Sequence, residues 1–97
     1  MDTKAHTDLA TIFQAAIEFT LTGKGEERHG NGVPFESQPI HSVPLHLGAC
    51  GKGFLLGQAA KKIFESANLP ADKAYLELLG AMAYANRAAK LAQDGKW

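Results

Sequence analysis

An all-α fold is the expectation for this chain: three helices, the last two closing a C-terminal hairpin, with a long Gly/Pro-rich loop between helices 1 and 2. Three observations predict it. Apolar side chains recur at helical spacing over residues 4–22, 54–67 and 70–94, glycine and proline crowd residues 23–53, and only a few residues join the last two segments. Ninety-seven residues then make a single helical domain spanning 1–97.

Helix 1, about 4–22, places Leu9, Ile12, Phe13, Ala16, Ile17 and Leu21 on one face, with Phe19 off that stripe. Asp2 or Thr3 is suited to cap its first turn, and Gly23 to end it in a left-handed conformation. Residues 23–53 read as loop. They carry Val33, Phe35, Ile40, Val43, Leu45 and Leu47 at irregular spacing, enough apolar surface to pin the segment onto the helices. Pro39 and Pro44 allow at most a short helical turn around Ile40 to His46.

Helix 2, about 54–67, is expected to bury Leu56, Ala59, Ala60, Ile63, Phe64 and Ala67 and to stop at Asn68. Pro70 suits the first turn of helix 3, about 70–94. There the stripe Tyr75, Leu78, Met82, Ala85, Ala89 and Ala92 steps by three or four, close to the 3.5-residue repeat that faces a partner helix. Asp72 lies near its positive end, Arg87 and Lys90 toward its negative end, and Gly95 beyond it. Small residues, Gly57, Ala59 and Ala60 against Gly80, Ala81, Ala85, Ala88 and Ala89, point to a close helix contact with little apolar area per residue. So modest a core favours a homo-oligomer.

Composition narrows the function classes. Ten Lys+Arg balance ten Asp+Glu, which leaves no electrostatic footprint for duplex nucleic acid or an anionic membrane. No apolar run approaches a membrane span, the first residues lack a signal-peptide core, and a single cysteine, Cys50, excludes an internal disulfide. The expectation is a cytoplasmic protein.

Three constellations are candidates for chemistry. The turn Gly48-Ala49-Cys50-Gly51-Lys52-Gly53 leads into helix 2, where its backbone N–H groups and the Lys52 ammonium suit a phosphate or carboxylate; Gly51, Lys52 and Gly53 are the ligand candidates. It lacks the Ser/Thr and the glycine spacing of a nucleotide P-loop, and a flexible turn with a solvated lysine is the plainer reading. Arg28 and His29, in the mixed-charge turn 24–30, offer a planar fork and a second donor, or simply pair with Glu26 and Glu27. On helix 3, Tyr84, Asn86 and Arg87 lie off or close to the expected seam, either solvated or lining a pocket that suits a nucleobase with its phosphate. His41, His46 and Cys50 have poor spacing for zinc, so neither a metal nor another cofactor is expected.

The helix 3 segment 78–90, with its run of Met82, Tyr84, Ala85, Asn86 and small residues before Arg87 and Lys90, resembles the final helix of small phage-encoded anti-CBASS and anti-Thoeris sponge proteins. The resemblance covers this one helix. It implies a helical homo-oligomer that sequesters a cyclic-nucleotide or ADP-ribose-derived immune signal at subunit interfaces without turnover, with Tyr84, Asn86 and Arg87 in the pocket.

Three functions follow as expectations. The first is non-enzymatic binding and sequestration of a small anionic nucleotide-derived molecule. The alternative is a small adaptor or inhibitor that docks on a larger host or phage protein through the 24–52 loop. An all-α nucleotide pyrophosphohydrolase is the third, and it fits least. Such chemistry wants Mg²⁺ held by paired carboxylates, and the helical acids Asp8, Glu18, Glu65, Asp72, Glu77 and Asp94 include no E-x-x-E or E-x-x-D pair.

Overall fold

A computed structural model describes residues 3–22 and 39–97, and all of its regular structure is helical. Helix α1 spans Thr3–Thr22, α2 Pro39–Leu47, α3 Gly51–Ser66 and α4 Ala71–Gln93, with a 3₁₀ turn at Gly48–Cys50 between α2 and α3. The all-α class and the C-terminal hairpin therefore stand. The short helical turn expected around Ile40 to His46 is the nine-residue α2, and residues 48–53, read from sequence as loop, are the 3₁₀ turn and the start of α3. Pro39 occupies the first position of α2, where its missing N–H is not needed, and Pro44 withholds a single bond from the Ile40 carbonyl, a loss that a nine-residue helix tolerates. The 23–38 part of the expected loop, with Gly23, Val33 and Phe35, lies outside the described residues, as does Asp2.

The turn from Ala67 to Pro70 reverses the chain, so α3 and α4 run antiparallel along their length. Pro70 stands just before α4 rather than in its first turn, with an extended ψ of 153°, and its carbonyl accepts from the Ala74 N–H. At the other end, Gly95 takes φ +71°; the Lys96 N–H reaches the Leu91 carbonyl and the Gly95 N–H the Ala92 carbonyl, a Schellman stop as the sequence suggests.

The core is built from Ile40, Leu55, Ala59, Tyr84, Ala88 and Leu91, with Phe54 and Ala83 packed against it. Leu55 is fully buried, and Tyr84 meets Phe54 edge to face at 6.3 Å between ring centroids. Ile40 is pinned here from α2, as expected of an apolar residue in that segment. The seam on α4 runs through Glu77, Ala81, Tyr84, Ala88 and Leu91, one residue N-terminal to each expected position. Tyr75, Leu78, Ala85, Ala89 and Ala92 are exposed. On α3 the seam is Gly51, Leu55, Ala59 and the stem of Lys62, while Leu56, Ala60, Ile63, Phe64 and Ala67 face outward. The physical reason is close approach: the small residues Ala59, Ala81 and Ala88 let the two helices close around Leu55, Tyr84 and Leu91, and the bulkier neighbouring stripe is left outside. Gly80 is closely packed as well, against a side chain, since a Cβ there would stand 3.2 Å from Lys62 Cδ. Gly57, by contrast, has open space around it and plays no part in the contact.

Helix α4 is central and packs against α3, α1 and α2. Of the expected buried stripe on α1 only Ala16 is buried; Leu9, Ile12, Phe13, Ile17 and Leu21 remain 42–61% exposed, and Phe19 is half-buried. Among the described residues no helix is long and apolar enough to cross a membrane.

Candidate functional site

The glycine-rich turn does not make an anion cradle. Leu47, Cys50 and Gly51 are all right-handed helical and only Gly48 has positive φ, so the backbone lacks the alternation that would converge successive N–H groups on one point. The Gly51 N–H is already given to the Gly48 carbonyl. Gly51 itself is buried against the carbonyl of Pro44, a contact that any Cβ would overrun. Lys52 turns to the segment that follows α4, at the same end of the hairpin, with its ammonium 5.1 Å from the centre of the Trp97 ring. Gly53 is exposed, with no neighbour near its Cα. Arg28 and His29 lie outside the described residues.

Helix α4 divides the remaining three candidates. Tyr84, expected off the seam, is in the middle of it and only 5% exposed, so its ring is core rather than a ligand platform. Asn86 and Arg87 do meet at a concave surface. A groove of about 570 Å³ runs between α1 and α4, walled by Phe13, Ala16, Ile17, Thr20 and Leu21 on one side and Met82, Ala83, Ala85, Asn86 and Arg87 on the other.

The groove follows from local structure. Ala16 and Ala83 bring the two helices close, and Phe13, Ile17, Leu21 and Met82 are too large to follow them, so they stand apart and leave a trough. Thr20 donates its hydroxyl to the Ala16 carbonyl at 2.8 Å, so this polar group is spent within the helix and the wall stays apolar. At the lip, Arg87 Nε and Nη2 both donate to Asn86 Oδ1, at 3.0 and 2.6 Å. Asn86 is neutral, so these bonds fix the direction of the guanidinium by geometry. Arg87 also borders a cleft of about 70 Å³ on its other side, shared with Lys90, Lys96, Asp94, Leu91 and residues of α2. Arg87 is thus the cation at the lip of the groove, while Lys90, in the neighbouring cleft, is held to Asp94 at 3.1 Å.

Phe13, Ile17 and Met82 were read from sequence as core, and their role as groove walls was missed. The available signal was Asn86 and Arg87 themselves, a polar pair placed beside an apolar stripe. Carboxylates are engaged elsewhere. Asp8 pairs with Lys4, Glu65 with Lys61, Glu77 with Lys62 and Asp94 with Lys90, and Glu18 accepts from Gln14. Among the described residues no three His, Cys, Asp or Glu side chains converge as metal ligands. No protein-family model, curated protein or solved structure matches this chain.

Proposed function

We propose that the protein is a non-enzymatic binder that takes a small anionic molecule with a flat, partly apolar body, of the nucleotide class, into the groove between α1 and α4. The observation that carries this is the groove itself. Its volume of about 570 Å³ falls within the roughly 300–1,000 Å³ of small-molecule sites, its walls are apolar, and its polar groups are few and gathered at one lip. The apolar walls, Phe13 and Met82 among them, suit the face of an adenine or guanine ring, and the Arg87 guanidinium, oriented by Asn86, places a positive charge at the lip for a phosphate. The engaged carboxylates support binding without turnover, since four of the helical acids are held by lysines. Relative to the sequence reading, the ligand moves from the glycine-rich turn to α4, and Asn86 and Arg87 keep their roles.

The test is isothermal titration with AMP, ADP-ribose and a cyclic dinucleotide, followed by mass analysis of the recovered ligand. At least one should bind and return unaltered, and Arg87→Ala should weaken it about tenfold or more, the loss expected from one charge-assisted pair. No binding by any of the three, or equal binding by Arg87→Ala, overturns the assignment; a cleaved ligand revives the enzyme reading. A second reading, docking on a larger protein, is favoured by Leu9 and Ile12, which extend the apolar side of α1 beyond the groove at 61 and 46% exposure.

A further inference from the structure

We propose that one side of the α3–α4 hairpin is the surface through which two copies of this chain pair, whether or not the groove takes a ligand. On each helix the buried seam is followed, one residue later, by a largely apolar stripe that is exposed except at the half-buried Lys52 and Met82: Lys52, Leu56, Ala60 and Ile63 on α3, with Ala67 just beyond it, and Tyr75, Leu78, Met82, Ala85, Ala89 and Ala92 on α4. One residue is a rotation of about 100° about the helix axis. Because the helices are antiparallel and both right-handed, equal rotations away from a shared seam carry the two stripes to the same side of the hairpin. They form one face. Met82 and Ala85 also wall the groove, so Phe13, Ile17 and Leu21 of α1 stand at the edge of this face and extend it across a third helix.

The occupant follows from charge and shape. Lys52, at the start of α3 and set over the Trp97 ring, is the single charge on the two stripes, so the face offers little to a nucleic acid, an acidic peptide or a lipid headgroup. Two copies of a chain with no net charge have little to repel them. The shape is self-complementary. Bulk is gathered toward the α3–α4 turn, in Ile63, Tyr75 and Leu78, while the far half presents Ala85, Ala89 and Ala92 on α4 with Leu56 as the one large residue on α3. A two-fold axis through the face lays the bulky end of one hairpin on the small end of the other, the isologous arrangement of a four-helix bundle. Leu56, Ile63, Tyr75, Leu78, Phe13, Ile17 and Leu21 are 41–57% exposed. Fully buried aromatic rings such as Phe13 and Tyr75 cover roughly 150–250 Å² each, so with the five aliphatic side chains the exposed parts offer a few hundred Å² before the alanines are counted. A stable interface of standard size takes about 800 Å² from each partner.

The experiment is sedimentation velocity on the full chain, with far-UV circular dichroism as the control for folding. The wild type at about 100 µM should sediment as two chains, and Ala60→Glu and Ala85→Glu, each adding a charge to an exposed position, should each sediment as one with helical signal unchanged. Lys61→Glu, on a different side of α3, should remain paired. A wild type that is one chain at that concentration, or an assembly larger than two, overturns the proposal. So does continued pairing of either folded Glu variant. Should one variant lose its helical signal, the other decides.

Discussion

The two packed surfaces of α4 contrast sharply in what they bury. Against α3 the helix presents Gly80, Ala81, Tyr84 and Ala88, and the seam closes around Leu55 and Ala59 until little solvent reaches it. Against α1 it presents Ala83 and Asn86 with Met82, and the larger side chains of α1 hold a groove open beside the one buried residue, Ala16. Both contacts use alanine where the backbones come nearest. The difference lies in what surrounds that point: short side chains and one enclosed tyrosine in the first case, a row of large exposed apolar residues in the second. A small residue brings two helices together, and its neighbours decide whether the result is a core or a site.

Three substitution experiments break or sharpen this contrast. The largest effect is expected at Leu55→Ala, which empties the centre of the closed seam. Urea unfolding monitored by circular dichroism should show a loss of about 2–5 kcal/mol. The second is a pair of glycines on α3. Gly51→Ala forces a methyl onto the Pro44 carbonyl, backbone that has no rotamer to yield, and should cost about 1–3 kcal/mol in the same measurement. Gly57→Ala meets nothing and gains helix propensity, so it should stabilise by up to about 1 kcal/mol. Equal effects at the two glycines would remove the distinction between them. The smallest effect is expected on the open surface: Leu9→Ala, at 61% exposure, should shift stability by less than about 0.5 kcal/mol. A loss near that of Leu55→Ala would mean that α1 is covered in solution.

Much of the fold was legible because its signals are local. The Gly95 stop of α4 and the hairpin turn at Asn68 and Pro70 follow from capping and proline chemistry. The buried faces were harder to read, since periodicity gives the repeat but not the choice between adjacent stripes. On α4 the stripe through Tyr75, Leu78 and Met82 carries more apolar bulk than the one through Ala81, Tyr84 and Ala88, and bulk was the cue; the seam instead went where the backbones fit. Helix α2 was legible only as a short turn around Ile40 to His46, because its two prolines argue against anything longer, although one of them is harmless at a first turn. The anion cradle was read from glycine content, whereas only Gly48 uses the freedom that glycine provides. Asn86 and Arg87 were chosen for chemical type, and they line the groove because α1 lies across α4 on the flank away from Tyr84. No local pattern in the sequence specifies that docking.

The meeting of Lys52 and Trp97 gives the molecule an optical property. Trp97 is the chain's single tryptophan, so its ultraviolet emission comes from one place, beside the ammonium of a residue in the first turn of α3. A nearby positive charge alters both the colour and the brightness of indole fluorescence. The light therefore registers whether the segment after α4 lies back against the start of α3, and its change during denaturation dates the opening of that end of the hairpin relative to the melting of the helices.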